Sequence, residues 1–289
     1  MKTLRNVMDS YLELCKPRIV TLVLVTTALG YYLGGHGIHS IYNFVMTMAG
    51  SALVCAGSAA LNHYLERDSD ALMRRTKNRP VVQGVIAPNN AMIFGILLVL
   101  TGVLLLCLEV NLLTSFLSLL TAFLYVLVYT PMKKISWFNT TIGAIPGAIP
   151  PMGGWAASTG SIDQGAWALF LLMFVWQHPH FYSIAWLFKD DYKQAGFKML
   201  SLDDPKGKRI FTHTLIYSLI LIPVAMLPSL IGISGVKYLV GSVILSFGLL
   251  YFSRKLQTSS SNLAAHQLLK ASVFYLPAIL FLIIIDHSF

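Results

Sequence analysis

Charge is what this 289-residue sequence has least of: Asp, Glu, Lys and Arg make up 11% of it, where a soluble domain carries about 25%. So few charges cannot cover a globule of this length, which excludes an ordinary cytosolic enzyme and leaves a lipid bilayer as the missing solvent. Cysteine is also scarce. Cys15, Cys55 and Cys107 are odd in number and far apart, with neither a CxxC pair nor zinc spacing, so a disulfide framework and a metal–thiolate site are excluded. Alternation is missing too. Runs such as Ile96-Leu97-Leu98-Val99-Leu100 have no period of two, which sets aside a transmembrane barrel. Residues 1–18 are mixed and amphipathic, and the apolar run after them is long enough to stay in the membrane, so no cleavable signal is expected.

What is present is apolar: 56% of residues, with a net charge of +9. That charge does not point to nucleic acid, because the basic residues sit in clusters between long apolar runs rather than on one exposed face. A spanning helix needs roughly 20 mainly apolar residues. Nine stretches qualify, about 19–35, 41–62, 91–109, 111–130, 140–157, 165–187, 211–232, 236–253 and 268–285. The expected fold is all-α: a polytopic membrane protein of nine transmembrane helices in a ring-like bundle around a central cavity. Twenty of the 21 Lys and Arg fall at the N-terminus or in alternate loops, and only Lys237 lies on the other side. The positive-inside rule then puts the N-terminus in the cytoplasm and the C-terminal Asp286 and His287 outside a cell membrane, the inner membrane of a bacterium.

Acidic residues are as uneven as the basic ones. Glu66, Asp68 and Asp70 follow span two, and Asp190, Asp191, Asp203 and Asp204 follow span six. Both groups lie on the cytoplasmic side, four spans apart. This is the pattern of a weak internal duplication inside a single domain covering 1–289, with two four-helix halves, about 19–130 and 140–253, plus a final helix.

Asn62, Glu66 and Asp70 are spaced i, i+4, i+8, which keeps them within an arc of about 80° on one helix face. Oxygen donors in such a column suit Mg²⁺, a hard cation that takes one or two carboxylates and leaves its other positions to water and phosphate. Asp68 projects from the opposite side. The same residues would also make a solvated helix end, paired to Arg67 and Arg74. The neighbouring cations separate the two readings. Arg67, Arg74, Arg75, Lys77 and Arg79 crowd the same loop, and a metal column beside a guanidinium cluster is what a diphosphate needs. An anchor for anionic lipid headgroups would explain the cations but not the adjoining carboxylates. Asp190 and Asp191 offer a second acidic site, facing the first if the bundle closes. Asp203 and Asp204, before Pro205-Lys206-Gly207, read as a solvated turn.

Deeper in the bilayer, seven of the twelve residues from Gly143 to Gly154 are Gly or Pro, which makes a straight helix costly. Irregular backbone at that depth lines a cavity or is buried in protein; a small-residue seam between helices is the alternative. Span six carries Trp176-Gln177-His178-Pro179-His180-Phe181, and polar residues inside a span are functional by default. The two histidines point to different faces. A neutral imidazole there can ligate a haem iron, bond a substrate carboxylate, or merely satisfy a nearby carbonyl.

Taken in order, these residues resemble the UbiA-type intramembrane prenyltransferases, and within them the branch that farnesylates haem. The resemblance runs from Lys16-Pro17-Arg18-Ile19 to at least Leu200. It is carried by Asn62-x-x-x-Glu66-Arg67-Asp68-x-Asp70-x-x-Met73-x-Arg75-Thr76-x-x-Arg79-Pro80, Tyr129-Thr130, Asn139-Thr140, Gly147-Ala148-x-Pro150-Pro151, Trp176-Gln177-x-Pro179-His180-Phe181 and Asp191-Tyr192-x-x-Ala195-Gly196. The resemblance implies Mg²⁺ as cofactor, held by Asn62, Glu66 and Asp70 and by Asp191 with Asp190 in support. Arg75, Arg79 and Lys133, with Arg67 and Arg74 of the same cluster, become diphosphate contacts. Trp176, Gln177 and His180 become the haem contacts. Farnesyl diphosphate and haem b are the implied substrates, membrane lipid the surroundings, and haem A synthase or cytochrome oxidase assembly proteins the implied protein partners. Two departures stand out. Glu66 replaces the usual Asp, and the second motif lacks the DxxxD pattern, since Ala195 follows Asp191 at i+4; at least one Mg²⁺ is therefore the expectation. A quinone precursor or chlorophyll-type acceptor is the rival substrate. A cation transporter is the rival class, but its acidic residues would lie near the midplane.

Overall fold

The computed structural model describes residues 4–204 and 206–287. Among these the chain is helical, apart from one isolated bridge between Ser234 and His287. In chain order the helices are α1 (Leu4–Leu14), α2 (Pro17–Gly34), α3 (Ile41–Asp70), α4 (Pro88–Glu109), α5 (Leu112–Phe123), a π-helical turn (Leu124–Tyr129), α6 (Thr130–Met132), α7 (Asn139–Thr159), α8 (Gln164–Leu187), α9 (Lys189–Gln194), α10 (Leu200–Asp203), α11 (Lys208–Leu230), α12 (Val236–Ser259) and α13 (Asn262–Ile285). By length and composition seven are apolar enough to cross a membrane: α2, α3, α4, the continuous Leu112–Met132 rod, α11, α12 and α13. Helices α7 and α8, 21 and 24 residues long, occupy the other two expected stretches. Both are interrupted by Gly, Pro or the Gln177–His180 polar run, so the count of nine does not follow from apolarity alone. The chain is a multi-pass membrane protein.

Helix starts carry their chemical signatures. Pro17 and Pro88 stand in the first turn of α2 and α4, where a missing N–H costs nothing. Side chains of Ser40, Asn111, Asp163 and Ser261 accept from backbone N–H groups at the starts of α3, α5, α8 and α13. The π-helical turn precedes Pro131, whose ring has no N–H to give and crowds the preceding turn. Widening the helix there relieves the crowding and turns Tyr125 and Tyr129 toward one side.

Packing is inside out relative to a soluble bundle. On α12, Val240, Ile244, Phe247 and Tyr251 form an exposed apolar stripe, while Ser242, Ser246 and Ser253 are buried on the other side. Ser253 bonds Ser218 of α11 at 2.7 Å and Ser246 bonds Tyr275 of α13 at 2.9 Å, the polar contacts expected where lipid supplies the apolar solvent. Helices α2, α3, α4, α5 and α7 pack around one another, and α8 packs on α7. Helices α11, α12 and α13 pack behind α8 and contribute nothing to the wall of the cavity that α2, α3, α7 and α8 enclose.

Against the expectation of irregular backbone, α7 stays helical through Pro146, Pro150 and Pro151. Its glycines explain part of this. A Cβ on Gly154 would stand 1.9 Å from the Thr27 carbonyl oxygen, and one on Gly30 would stand 1.9 Å from that of Pro151. Helices α2 and α7 thus meet backbone to backbone, a small-residue seam that holds α7 where its prolines would loosen it.

Candidate active site

A cavity of about 450 Å³ opens between α2, α3, the α5–α6 rod, α7 and α8. Asn62, Glu66 and Asp70 all line it. They are 1%, 6% and 0% exposed, so the i, i+4, i+8 column faces inward as one face of α3. Asp68 is exposed on the other side. Each member of the column meets a cation from a different segment. Lys16, just before α2, donates to Asn62 Oδ1 at 2.8 Å. Lys133, just after α6, donates to Glu66 Oε1 at 2.6 Å. Arg79, in the connection 71–87, donates to Asp70 Oδ2. Asn62 also donates through Nδ2 to Thr130 Oγ1 at 3.2 Å, and Thr130 donates to the Tyr125 carbonyl at 2.8 Å, so the π-helical turn helps to orient it.

Asp70 Oδ1 is buried with no hydrogen-bond partner. A carboxylate oxygen in that state is costly and is the donor type a hard cation takes. Among the described residues no three His, Cys, Asp or Glu side chains cluster as a metal site; the third oxygen of this column is an amide, that of Asn62. The donor set fits Mg²⁺, with phosphate left to complete it.

Lys16 and Lys133 respond oppositely to the site. Burial, helped by the neighbouring Arg79 charge, pushes the Lys16 ammonium down to about 7. For Lys133 burial also opposes the charge, but Tyr129 and Glu66 outweigh it and hold the group above its ordinary value. Lys16 takes a left-handed backbone conformation, φ 48°, which costs a non-glycine residue of order 1–3 kcal/mol and is a mark of functional positions.

Arg75 and Tyr192 close the mouth. Arg75 donates to the Tyr192 hydroxyl at 3.1 Å and lies over the rings of Phe188 and Tyr192 at 5.1 and 5.4 Å. The connection after α3 is thereby tied to α9. Lys198 N–H donates to the Lys133 carbonyl at 2.6 Å, and Asn139 Nδ2 donates to the Lys198 carbonyl at 2.7 Å, which ties down the segment after α9.

Of the expected diphosphate contacts, Arg75, Arg79 and Lys133 line the cavity and Arg67 and Arg74 do not. Arg67 donates to the Tyr64 carbonyl at 2.9 Å and sits 3.7 Å from Asp68, and Arg74 is exposed. Asp190 and Asp191 open α9 and lie outside the wall, which Tyr192 joins instead. From span six only Gln177 of the three expected residues lines the cavity, beneath Gly147. Trp176 donates to the Ser272 carbonyl at 3.0 Å and His180 Nδ1 bonds Ser272 Oγ at 2.9 Å, so both face α13. His178 faces α11, stacked on Tyr217 with ring centroids 3.6 Å apart. Sequence reasoning did not single out Lys16, Tyr129 or Tyr192 as site residues. All three stand in the runs that carry the resemblance, Lys16-Pro17-Arg18-Ile19, Tyr129-Thr130 and Asp191-Tyr192, but those runs assigned them no role.

Residues 23–276 match the UbiA prenyltransferase family. The chain belongs to that family. It is similar to the protoheme IX farnesyltransferase of Solibacter usitatus (strain Ellin6076), 40% identical over 289 residues that cover 97% of this chain and 99% of the relative. It is also similar to that of Aquifex aeolicus (strain VF5), 39% identical over 286 residues covering 98% and 96%. A solved digeranylgeranylglyceryl phosphate synthase shares the fold with a TM-score of 0.83 at 18% identity, covering 97% of this chain and 98% of that one. A UbiA homologue from Archaeoglobus fulgidus bound to GPP and Mg²⁺ shares it with a TM-score of 0.64 at 18% identity, covering 95% and 99%.

Proposed function

We propose that this enzyme transfers the farnesyl group of farnesyl diphosphate to a vinyl group of haem b, giving haem O and diphosphate, with its N-terminus and the mouth of its cavity on the cytoplasmic side. One observation carries the reading: the oxygen column of Asn62, Glu66 and Asp70 and the cations Arg75, Arg79 and Lys133 share one apolar cavity, in a chain 40% identical to a protoheme IX farnesyltransferase along its length. The Mg²⁺ that accompanies prenyl diphosphates in a family structure would be held by Asn62, Glu66 and Asp70. Bound there, it would neutralise charge on the diphosphate as the C1–O bond breaks.

Arg75, Arg79 and Lys133 take up diphosphate oxygens, and the guanidinium groups do so with paired donors. The lower wall, from Val54, Leu117, Ile149 and Phe181, holds the isoprenoid chain and keeps bulk water from the allylic cation. The nucleophile needs no base, because the vinyl group supplies its own π electrons to form the carbon–carbon bond. Water then adds to the new cation and loses a proton, which leaves the hydroxyethylfarnesyl side chain. Purified protein incubated with haem b, farnesyl diphosphate and Mg²⁺ should yield haem O by mass spectrometry of extracted haems. Recovery of haem b alone, with prenyl transfer to a quinone precursor instead, would overturn the haem assignment.

A further inference from the structure

Gln177 of α8 is 5% exposed and lines the catalytic cavity. Its neighbours fix which way the amide points. Nε2 donates to the Ala144 carbonyl at 3.2 Å and to the Met173 carbonyl at 3.0 Å, and a flipped amide would set its oxygen against both of those acceptors. Both donors are therefore spent. Oε1 is left on the side of Gly147, where a Cβ would stand 2.1 Å from it, so only a glycine leaves that oxygen its place on the wall. Among the described residues of α7 beyond Thr140 and of α8, Gln177 is the one cavity-lining residue with a hydrogen-bonding side chain.

The depth of this oxygen follows from the packing above it. Tyr129 lies against Gly143, where a Cβ would stand 2.5 Å from its ring, and the adjoining Thr130 bonds Asn62, the innermost member of the oxygen column. Gly147 is one turn farther along α7, about 6 Å deeper. The carbon bonded to a diphosphate held by that column lies at this depth. Gln177 Oε1 thus stands beside the reacting carbons, below the phosphates.

We propose that Gln177 positions the water that completes the reaction, an inference that rests on the reading of haem as acceptor. Once the vinyl π electrons have formed the carbon–carbon bond, the positive charge sits on the carbon attached to the macrocycle. Two outcomes compete there. A water lone pair forms the C–O bond and the water's proton passes to the released diphosphate, or the adjacent CH₂ gives up a proton to that diphosphate and a carbon–carbon double bond forms. The second route yields a farnesylated haem lighter than haem O by one water. The first needs a water held with its lone pair toward the cation, in a cavity that excludes bulk water. An amide oxygen fixed by its own two N–H bonds can accept and cannot donate, so it takes a hydrogen of the water and leaves the lone pair for carbon.

The test reads product composition as well as rate. Purified full-length protein is incubated with haem b, farnesyl diphosphate and Mg²⁺, and the extracted haems are compared by mass spectrometry. The wild type should give haem O. Gln177→Met, of similar bulk but without the oxygen, should raise the ratio of dehydrated product to haem O by about tenfold or more, the effect of one lost hydrogen bond to a charged group. Gly147→Ala displaces Oε1 while keeping Gln177, and should move the ratio in the same direction. Both variants should still bind farnesyl diphosphate with Mg²⁺ by calorimetry, which shows that they are folded. Haem O as the sole product of Gln177→Met, whatever its rate of formation, overturns the inference. So does loss of every farnesylated haem in a Gln177→Met protein that binds farnesyl diphosphate, because the water acts after the carbon–carbon bond has formed. A wild type that makes haem O while the variants leave its composition unchanged keeps the proposed function standing, whereas one that leaves haem b unconverted removes both.

Discussion

Lys133 donates to Glu66 over 2.6 Å with side chains only 15% and 7% exposed, joining the end of the α5–α6 rod to the end of α3. The arrangement is repeated by Lys16 on Asn62 and by Arg79 on Asp70. Three basic side chains from three separate segments thus hold one column of oxygen donors before any substrate arrives, Lys133 and Arg79 as ion pairs with its two carboxylates and Lys16 by a hydrogen bond to its amide. The same cations stand where an anionic diphosphate would meet them, so charge that stabilises the free protein is already in position for the ligand.

Removing one partner from a buried pair leaves an uncompensated charge, at a cost of about 3–5 kcal/mol. Glu66→Gln should therefore lower thermal stability in detergent and abolish prenyl transfer. Combining it with Lys133→Met should recover most of the stability without recovering turnover. Thermal unfolding measured beside product formation checks this; a double variant that also regains activity would show the pair to be structural alone.

The unpartnered Asp70 Oδ1 makes Asp70 the sharpest test of the metal assignment. Asp70→Asn keeps the shape and one hydrogen-bonding oxygen but loses the charge. Turnover should fall by about 10²–10³-fold, the size of effect seen when one electrostatic stabiliser of a transition state is removed. The Mg²⁺ concentration for half-maximal rate should rise. Full activity of the wild type in excess chelator would sink the assignment.

The inward column and the outward Asp68 were legible in the sequence because helical spacing alone fixes which residues share a face. The apolar stretches were legible for the same reason, since their length needs no partner to be recognised. Residues brought in by connections were harder to read. Lys16 and Tyr192 reach the cavity from the α1–α2 link, which has no period, and from the six-residue α9, whose period does not set how so short a helix is turned toward α3. Span six shows a further limit: Trp176, Gln177 and His180 are close together in sequence, yet only Gln177 meets the cavity while the other two share Ser272 of α13. Spacing separated their faces, but which face met the cavity depended on the position of α13.

Tyr192 holds Arg75 by its hydroxyl and its ring, and these roles separate by substitution. Tyr192→Phe removes one hydrogen bond, worth about 0.5–1.5 kcal/mol, and should change KM for farnesyl diphosphate only slightly. Tyr192→Ala also frees the Arg75 side chain and the α9 segment, and should raise KM by about tenfold, which corresponds to about 1.4 kcal/mol. Steady-state kinetics on both variants decide the matter; equal effects would mean that the ring contributes nothing.

Adjacent glycines on α7 give a matched pair for the seam between α2 and α7. A Cβ on Gly154 would stand 1.9 Å from the Thr27 carbonyl oxygen, a backbone atom that cannot swing aside, whereas a Cβ on Gly153 meets nothing within 4 Å. Gly154→Ala must therefore push the helices apart, and overpacking of this kind costs about 1–3 kcal/mol. In a membrane helix pair, where close backbone approach is itself the source of association, the cost should fall at the upper end. Gly153→Ala gains about 0.5–1 kcal/mol of helix propensity, and its methyl group enters the catalytic cavity that Gly153 lines. It should therefore leave thermal stability equal or higher while weakening prenyl diphosphate binding, and Gly154→Ala should do the reverse in stability. Unfolding midpoints of the two variants, measured in the same detergent, distinguish the cases: equal loss at both positions would mean that α7 tolerates no side chain at all and that the α2 contact is not the cause.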